Sequence, residues 1–299
     1  MPDGIDPNDI DLDSFREWLS MAVAETSVQT YIDYVKVFLD WCIMNNEKVD
    51  VRALNKYISY KRSSGSADST VRTIFYSLKK LYTYLGMGLE VSTLVPPKVR
   101  SSKRRVTHYD TVVKMINHSK YLEDVVMILL LYDCALRVGE LCSLKVEDVV
   151  LDTEKPYIKV WTEKQRGGKK EQDTVVLSRI TVDTLLTYLE KTNLRPSDWL
   201  IPSRRNIDKP ISKETVRYRL KTIACAAGLD TYPNPHSFRH GRIEDILRVS
   251  IRTNTPVDPS QVQRFSRHRS YTSTLRYLNI MGIEVEGQNI PDMDEVGEE

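Results

Sequence analysis

The chain has 299 residues, of which 41% are hydrophobic and 28% charged, and its formal net charge is +2 at pH 7. This composition predicts a globular protein of about two domains and excludes a chain that is mainly disordered. No apolar run is long enough to cross a membrane, and the acidic first residues do not resemble a secretory signal. The four cysteines form no C-x-x-C pair, which disfavours a zinc site and a disulfide framework and fits a reducing cytoplasm.

The near-neutral total conceals an uneven distribution of charge along the chain. The net charge is −3 over residues 1–95, +12 over residues 96–280 and −7 over residues 281–299. A basic body with an acidic end favours a polyanionic partner, although a solvated basic surface would give the same count.

The spacing of apolar residues predicts a bundle of four helices in residues 1–95. Each has an apolar residue every three or four positions, and short polar stretches connect them. The predicted helices are a first around Leu12–Val23, a second from the candidate caps Thr26 and Ser27 to the break at Asn45, a third over Val51–Tyr60 and a fourth from about Thr70 to Leu85.

Residues 96–105 contain two prolines and five basic residues, which predicts an extended linker between two domains. Such a linker could follow a phosphate backbone or be an ordinary solvated connection. Residues 106–285 form the predicted second domain, and residues 286–299 an acidic tail. In the second domain, one β-hairpin is predicted from Tyr157–Trp161 and Thr174–Leu177. The predicted helices of this domain are Thr111–Ser119, Leu122–Ala135, Leu141–Val149, Ile180–Lys191, Lys213–Ala227, Gly241–Arg248, Pro259–His268 and Tyr271–Asn279.

Three short segments of this domain combine side chains suited to phosphate chemistry. Arg137 follows an apolar helix, His236 and Arg239 share one side of a helix, and His268 precedes Tyr277 by nine positions. A guanidinium can bind two phosphate oxygens at once, and a tyrosine hydroxyl, with a pKa near 10, becomes a useful nucleophile beside cations. Each segment alone would be an ordinary helix-end charge, surface group or core aromatic.

The order of these segments resembles the tyrosine recombinases, the phage integrase and Xer family. The motifs of that family read approximately G-L-R-x-x-E-L, a lysine in a β-hairpin, H-x-L-R-H and L-G-H followed by a tyrosine nine positions after the histidine. They stand here as Ala135–Leu141, Lys164 or a neighbour, His236–His240 and Phe265–Tyr277. Two departures are visible: Ala135 replaces the first glycine, and Ser266-Arg267-His268 replaces Leu-Gly-His.

The resemblance implies a mainly α fold with a small β-sheet, in which residues 1–95 form a helical core-binding domain and residues 106–285 a tyrosine-recombinase catalytic domain. It implies site-specific cleavage and rejoining of DNA strands through a 3′-phosphotyrosyl intermediate, without metal or cofactor. The implied catalytic residues are Arg137, Lys164, His236, Arg239, His268 and the nucleophile Tyr277.

Some of these assignments leave alternatives open. Lys169 and Lys170 lie in the same hairpin loop as Lys164, and Tyr271 is a second tyrosine near the end of the domain, although only Tyr277 has the family's distance from His268. Glu140, one helical turn after Arg137, is interpreted as a brace for the cationic pocket.

The implied partner is double-stranded DNA carrying recombination sites, bound by a homotetramer with possible accessory proteins. The resemblance implies a cytoplasmic location, in a prokaryotic cell or encoded by a virus or plasmid. The alternatives are a catalytically inactive DNA-binding protein of the same fold, a type IB topoisomerase-like enzyme and a helix-turn-helix regulator. Exposed phosphate contacts are expected from the hairpin loop and from Arg204, Arg205, Lys209, Lys213, Arg217, Arg219 and Lys221.

Overall fold

The chain divides into two compact units, Met1–Lys103 and Arg104–Glu299, in a computed structural model. The structure describes residues 4–99, 105–161, 172–253, 258–267 and 271–280. The division between the units falls in the proline-containing basic stretch at residues 96–105. The assignment of residues 1–95 to DNA binding stays a prediction.

The first unit consists of helices in its described part. Two aspartates begin helices here: Asp11 accepts hydrogen bonds from the backbone N–H groups of residues 13 and 14, and Asp50 from that of Ala53. The elements are a 3₁₀ turn at Pro7–Asp9, followed by α1 (Leu12–Ala22), α2 (Glu25–Met44), α3 (Val51–Ser63), α4 (Asp68–Tyr84) and α5 (Gly88–Ser92).

The expected N-caps of the second helix are wrong. Helix α2 begins at Glu25, and Ala24 stands at the cap position without a side-chain hydrogen bond. The helix starts earlier because Glu25 is a good helix former and places an acidic side chain in the first turn, where the helix dipole favours it. The short helix α5 was also not predicted; its five residues are too few to show periodicity.

The core of the first unit is an apolar cluster between the helices. Phe15, Leu19, Phe38 and Leu78 are fully buried within it. Tyr82 is also buried, and its hydroxyl donates to the carbonyl oxygen of Asp50 at 2.5 Å, which satisfies the polar end of an otherwise apolar side chain. This cluster gives the first unit a hydrophobic core of its own.

The second unit is mainly helical, with two small antiparallel sheets. Its described elements are α6 (Tyr109–Asn117), α7 (Leu122–Tyr132), α8 (Val138–Cys142), a 3₁₀ turn at Val146–Asp148, β1 (Val149–Val150), β2 (Tyr157–Trp161), β3 (Gln172–Val176), α9 (Arg179–Lys191), β4 (Pro202–Ser203), β5 (Asn206–Pro210), α10 (Lys213–Ala226), α11 (Pro235–Thr253), α12 (Pro259–Ser266) and α13 (Tyr271–Ile280).

Helix α7 lies at the centre of this unit. All of its residues from Val126 to Tyr132 are buried, and α9 and α11 pack against it. The strands of the first sheet are ordered β1-β2-β3, with Tyr157 opposite Val176 and Trp161 opposite Gln172. Within the described residues, no helix is long and apolar enough to span a membrane. The expected fold class, mainly α with a small β-sheet, is confirmed.

Several helix boundaries differ from the sequence expectation, such as the end of α7 at Tyr132 rather than Ala135, and two helices differ most. The helix expected over residues 141–149 is the five-residue α8, and the chain then turns into β1, which pairs with β2. The helix expected at residue 241 begins instead at Pro235, because Asn234 accepts a hydrogen bond from the backbone N–H of Ser237 and proline suits the first helical position. The β4–β5 hairpin was not predicted.

Gly241 allows the start of the second unit to lie directly on α11. A Cβ atom at this position would come 1.8 Å from the carbonyl oxygen of Thr107. The backbone N–H of Thr107 donates to the carbonyl of Ser237 at 3.0 Å, and the two side-chain hydroxyls are 2.6 Å apart. The segment before α6 is therefore fixed to the helix that carries His236 and Arg239.

The substitution Gly241→Ala is expected to destabilise the second unit by about 3 kcal/mol, since backbone atoms must move to admit the methyl group. Thermal unfolding would measure the loss. Gly88→Ala is the matched control, because the nearest atom to its added Cβ lies at 3.7 Å, an ordinary contact. Equal melting temperatures for the two variants would contradict the close approach.

Candidate active site

Arg137 stands at the start of the short helix α8 and is held there by Glu140. The carboxylate of Glu140 accepts a hydrogen bond from the backbone N–H of Arg137 at 2.8 Å and one from its guanidinium Nη1 at 2.6 Å. Glu140 is fully buried, whereas the side chain of Arg137 remains partly exposed. Arg137 is therefore held by a buried carboxylate while part of its guanidinium is exposed to solvent. Glu140 makes the bracing contact expected from the sequence.

Arg239 lies one helical turn after His236 on α11 and is only 2% exposed. Its Nη1 donates to the carbonyl oxygen of Ala135 at 2.6 Å, and its Nη2 has no hydrogen-bond partner among the described residues. Burial, followed by the positive charges of Arg137 and Arg267, lowers the pKa of Arg239 to about 9. The group is thus still charged at neutral pH. A bound anion would accept a hydrogen bond from the unsatisfied Nη2 and offset the repulsion among the three arginines.

Tyr277 on α13 is 2% exposed and lies in a small apolar cluster with Ile243 and Val262. Its hydroxyl forms a close hydrogen bond with Nδ1 of His240. The ring of His240 also contacts that of His236, with centroids 4.8 Å apart. The structure therefore brings together the expected nucleophile and two histidines of α11, of which His240 was not assigned a role from the sequence.

Arg267 is the second functional candidate that the sequence reasoning did not assign. It ends helix α12 in the left-handed conformation, with φ 49° and ψ 43°. Its Nη2 donates to Glu140 and to the carbonyl oxygen of Ala135, both at 2.9 Å, and its own carbonyl accepts from Nη2 of Arg137 at 3.0 Å. The signal in the sequence was the departure itself, an arginine in place of the family's glycine.

Both departures from the family pattern occupy positions with positive φ. Ala135 has φ 47°, close to the value of Arg267. Glycine adopts this region freely, while other residues lose about 1 kcal/mol or more there. Ala135 and Arg267 are therefore both held in a backbone conformation that glycine would adopt without strain.

Two of the expected catalytic residues lie outside the described residues: Lys164 and His268. The same is true of Lys169 and Lys170, the alternatives to Lys164. The strands on either side of that loop, β2 and β3, pair along their whole length. The identity of the hairpin lysine and the role of His268 stay predictions.

Three of the basic residues expected to contact phosphate have acidic partners. Arg217 pairs with Glu214 on the exposed side of α10 at 3.1 Å. Arg219 is buried, and its guanidinium binds Asp124 and, at 3.0 Å, Glu123. Arg204 pairs with Glu123 at 3.1 Å and stacks on Tyr121. The acidic residues at the start of α7 thus hold β4 and α10 in place, and Arg219 is a structural residue. The other six, including the exposed Arg204 and Arg217, keep their expected role as a prediction.

Glu140 forms ion pairs with two arginines of the site, Arg137 and Arg267. Burial alone would raise the pKa of Glu140, but the positive charges of Arg267 and Arg137 and the backbone hydrogen bond from Arg137 outweigh it and lower the pKa. Among the described residues, no group of His, Cys, Asp or Glu side chains could hold a metal ion. The expectation of a reaction without a cofactor stays a prediction.

The substitution Glu140→Gln is expected to destabilise the second unit by about 3 kcal/mol at pH 7, because it leaves the buried guanidinium of Arg267 without its counter-charge. The lowered pKa also means that the stability from Glu140 is complete above about pH 4.5 and is lost as the pH falls through its folded-state pKa. The free energy of unfolding, measured as a function of pH in the acid range, should therefore change less with pH in the variant than in the wild type. An equal loss of stability in the exposed control Glu154→Gln would contradict the role of Glu140 as the counter-charge.

Comparison with known proteins places the chain in a family. Residues 105–281 match the model of the phage integrase family, which covers more than half of the chain. The chain belongs to this family, and it is a tyrosine recombinase, as the resemblance implied. Among curated relatives, Tyrosine recombinase XerA from Thermococcus kodakarensis is 26% identical over 92% of both chains, and that from Pyrococcus horikoshii is 28% identical over 90% of this chain and 88% of the relative.

Solved structures agree with the fold. The XerH site-specific recombinase bound to its difH substrate aligns with a TM-score of 0.65 at 15% identity, over 91% of this chain and 84% of that one. A lambda integrase dimer bound to a COC′ core site aligns with a TM-score of 0.62 at 18% identity, over 93% and 79%. The enzyme class and the fold predicted from the sequence are confirmed.

Proposed function

We propose that the protein cuts and rejoins DNA strands at specific sites and that Tyr277 carries the cut strand. The hydroxyl oxygen of Tyr277 attacks a phosphodiester, a 3′-phosphotyrosyl bond forms, and the bond to the 5′ oxygen breaks to release a 5′-hydroxyl. A 5′-hydroxyl of a partner strand then reverses the step and frees the tyrosine. The observation that carries the proposal is the buried guanidinium of Arg239, with an unsatisfied Nη2, on the same helix as the partner of Tyr277.

Arg137 and Arg239 form the phosphate clamp in this proposal. Arg137 is partly exposed and anchored by Glu140, while Arg239 is buried and already held at Ala135. Each can direct free N–H groups at non-bridging oxygens of one phosphate, where negative charge increases as the tyrosine attacks. Because both side chains are fixed before DNA binds, little reorganisation is needed in the reaction.

His240 accepts the proton of Tyr277 in this mechanism. Its Nδ1 already contacts the hydroxyl that must lose the proton, and an imidazole nitrogen can take up that proton. His236, whose ring packs on that of His240, lies on the same side of α11 and contacts the phosphate. Lys164 protonates the leaving 5′ oxygen, and His268 adds a hydrogen bond to the phosphate; both roles rest on the family motifs.

The substitution His240→Gln is expected to slow single-turnover cleavage of DNA about 10²-fold at pH 7, since glutamine can accept a hydrogen bond but cannot take up a proton. The rate of the variant should recover as the pH rises, because hydroxide can remove the proton of Tyr277 without help. A rate measured from pH 6 to 10 would test this. His118→Gln, directly after α6, is the control. A pH profile for His240→Gln parallel to that of the wild type would contradict the role.

The partner is double-stranded DNA, and we propose that the protein assembles as a homotetramer on paired recombination sites. Recombination of two duplexes needs four strand cleavages, which four copies supply. Arg204, Arg205, Lys209, Lys213, Arg217 and Lys221 contact the phosphate backbone in this proposal, as do the basic residues of the linker. The protein acts in the cytoplasm, in a prokaryotic cell or encoded by a virus or plasmid.

The deciding experiment captures DNA that has become covalently attached. Purified protein is incubated with sheared genomic DNA from its source, denatured in detergent and collected on a filter, and the retained DNA is sequenced. The proposal expects retained fragments that share a common sequence, each cut to leave a free 5′-hydroxyl. Uniform retention of all sequences would favour the topoisomerase-like alternative, and no retention above a bovine serum albumin control would favour a protein that only binds DNA.

A further inference from the structure

Arg267 connects the two catalytic arginines with the segment that carries the nucleophile. It ends α12, four residues before α13 begins with Tyr271. Its guanidinium reaches Glu140 on α8 and the carbonyl of Ala135, the same oxygen that accepts from Arg239. Its backbone carbonyl accepts from Arg137. One residue thus contacts Arg137 directly, contacts Arg239 through a shared acceptor, and lies in the segment that leads to Tyr277.

The stability of the fold alone does not explain an arginine at this position. The residue has a positive φ that glycine would adopt without strain, its side chain is 3% exposed, and its Nε has no hydrogen-bond partner among the described residues. A buried charge in a strained backbone is retained where the surrounding contacts fix it, and such positions concentrate at functional sites. The groups that hold Arg267, Glu140 and the carbonyl of Ala135, also hold the two arginines of the phosphate clamp.

We propose that Arg267 is a positioning residue that couples the phosphate clamp to the docking of the tyrosine segment, so that the clamp is correctly aligned only when Tyr277 is in place. This inference rests on the proposed function. Arg267 does not touch the phosphate: its Nη2 is occupied by Glu140 and Ala135, and its Nη1 donates to the carbonyl of Cys134 at 3.4 Å. It acts on the reaction through Arg137 and Arg239.

The experiment compares three variants at this position with one control. Arg267→Gly keeps the left-handed turn and removes the guanidinium, Arg267→Lys keeps a positive charge, and Arg267→Met keeps the chain length without charge. Arg264→Ala is the control, an exposed arginine of the same helix. The measurements are single-turnover cleavage of a site recovered by covalent capture, the DNA dissociation constant, and hydrogen exchange of residues 271–280.

The expected result is a loss of cleavage rate on the order of 10²-fold in Arg267→Gly and Arg267→Met, since misalignment of about 1 Å has this effect. Arg267→Lys should recover part of the rate, and the dissociation constant should change less than twofold. Amide exchange in residues 271–280 should become faster in the glycine variant. Arg264→Ala should match the wild type in rate and in exchange.

Two results would overturn the inference. If the position serves only as a turn, Arg267→Gly will cleave as fast as the wild type or faster, because glycine suits that backbone better. If hydrogen exchange of residues 271–280 is unchanged in Arg267→Gly, the tyrosine segment is docked without Arg267. Hydrogen exchange tests whether Arg267 holds the tyrosine segment even if the protein forms no covalent adduct. Failure of the proposed function is seen separately, because the wild type would then form no adduct with DNA.

Discussion

The substitution Tyr277→Phe is expected to abolish the covalent protein–DNA adduct, with residual formation below one part in 10⁴ of the wild-type rate, the scale on which loss of a nucleophile acts. Phenylalanine keeps the ring in its buried cluster, so the fold should be retained. A denaturing gel with end-labelled DNA would detect the adduct as a band of reduced mobility, and the DNA dissociation constant would show that binding persists.

Tyr271→Phe is the matched control for this experiment. Tyr271 begins the same helix and is a more exposed tyrosine. It should form adduct at close to the wild-type rate. An adduct that persists in Tyr277→Phe and disappears in Tyr271→Phe would show that the nucleophile has been assigned to the wrong tyrosine.

The substitution Arg239→Met is expected to slow cleavage about 10³-fold, the effect of removing one preorganised donor from the developing charge. It should also raise the melting temperature of the DNA-free protein. Arg239 is buried, its Nη2 is unsatisfied, and the charges of Arg137 and Arg267 oppose its own. An apolar chain of similar length removes this cost, so the gain in stability is expected to be about 1–2 kcal/mol.

Arg242→Met is the control, since it removes an arginine from the same helix. Arg242 forms an ion pair with Asp133 at 2.8 Å, so its loss leaves a buried carboxylate without its counter-charge, held only by neutral hydrogen-bond donors. The expected result is a lower melting temperature. Opposite shifts in the two variants would identify Arg239 as a group held for binding at the expense of stability, while a large loss of stability in Arg239→Met would show that it is structural.

The sequence predicted the elements and residues whose signal is local. Apolar spacing located the main helices, and the alternation of Tyr157–Trp161 identified the central strand of the first sheet. Helix ends were less predictable, because they depend on short-range hydrogen bonds: Asn234 begins α11 six residues before the expected start, within the segment that carries His236. The β4–β5 hairpin has too few residues to show a period.

The site was predictable as a set of residue types in order, but its connections were not. The resemblance to the family's motifs singled out Arg137, His236, Arg239 and Tyr277, and their catalytic roles stay predictions. The contact between His240 and Tyr277 joins residues 37 positions apart, and that between Arg267 and Glu140 joins residues 127 positions apart. Only tertiary packing brings such residues together, and the same packing explains why Arg219, a basic residue in a basic domain, is a buried structural group.

The burial of Tyr277 against His240 has a consequence for copies of the protein that act together. The nucleophile and the histidine beside it belong to one chain, and the tyrosine lies in that chain's own apolar cluster. Each subunit would then cut with its own tyrosine. Two inactive variants, Tyr277→Phe and Arg239→Met, would remain inactive when mixed. The first chain lacks the nucleophile, the second lacks the clamp arginine, and neither could supply the missing group to the active site of the other.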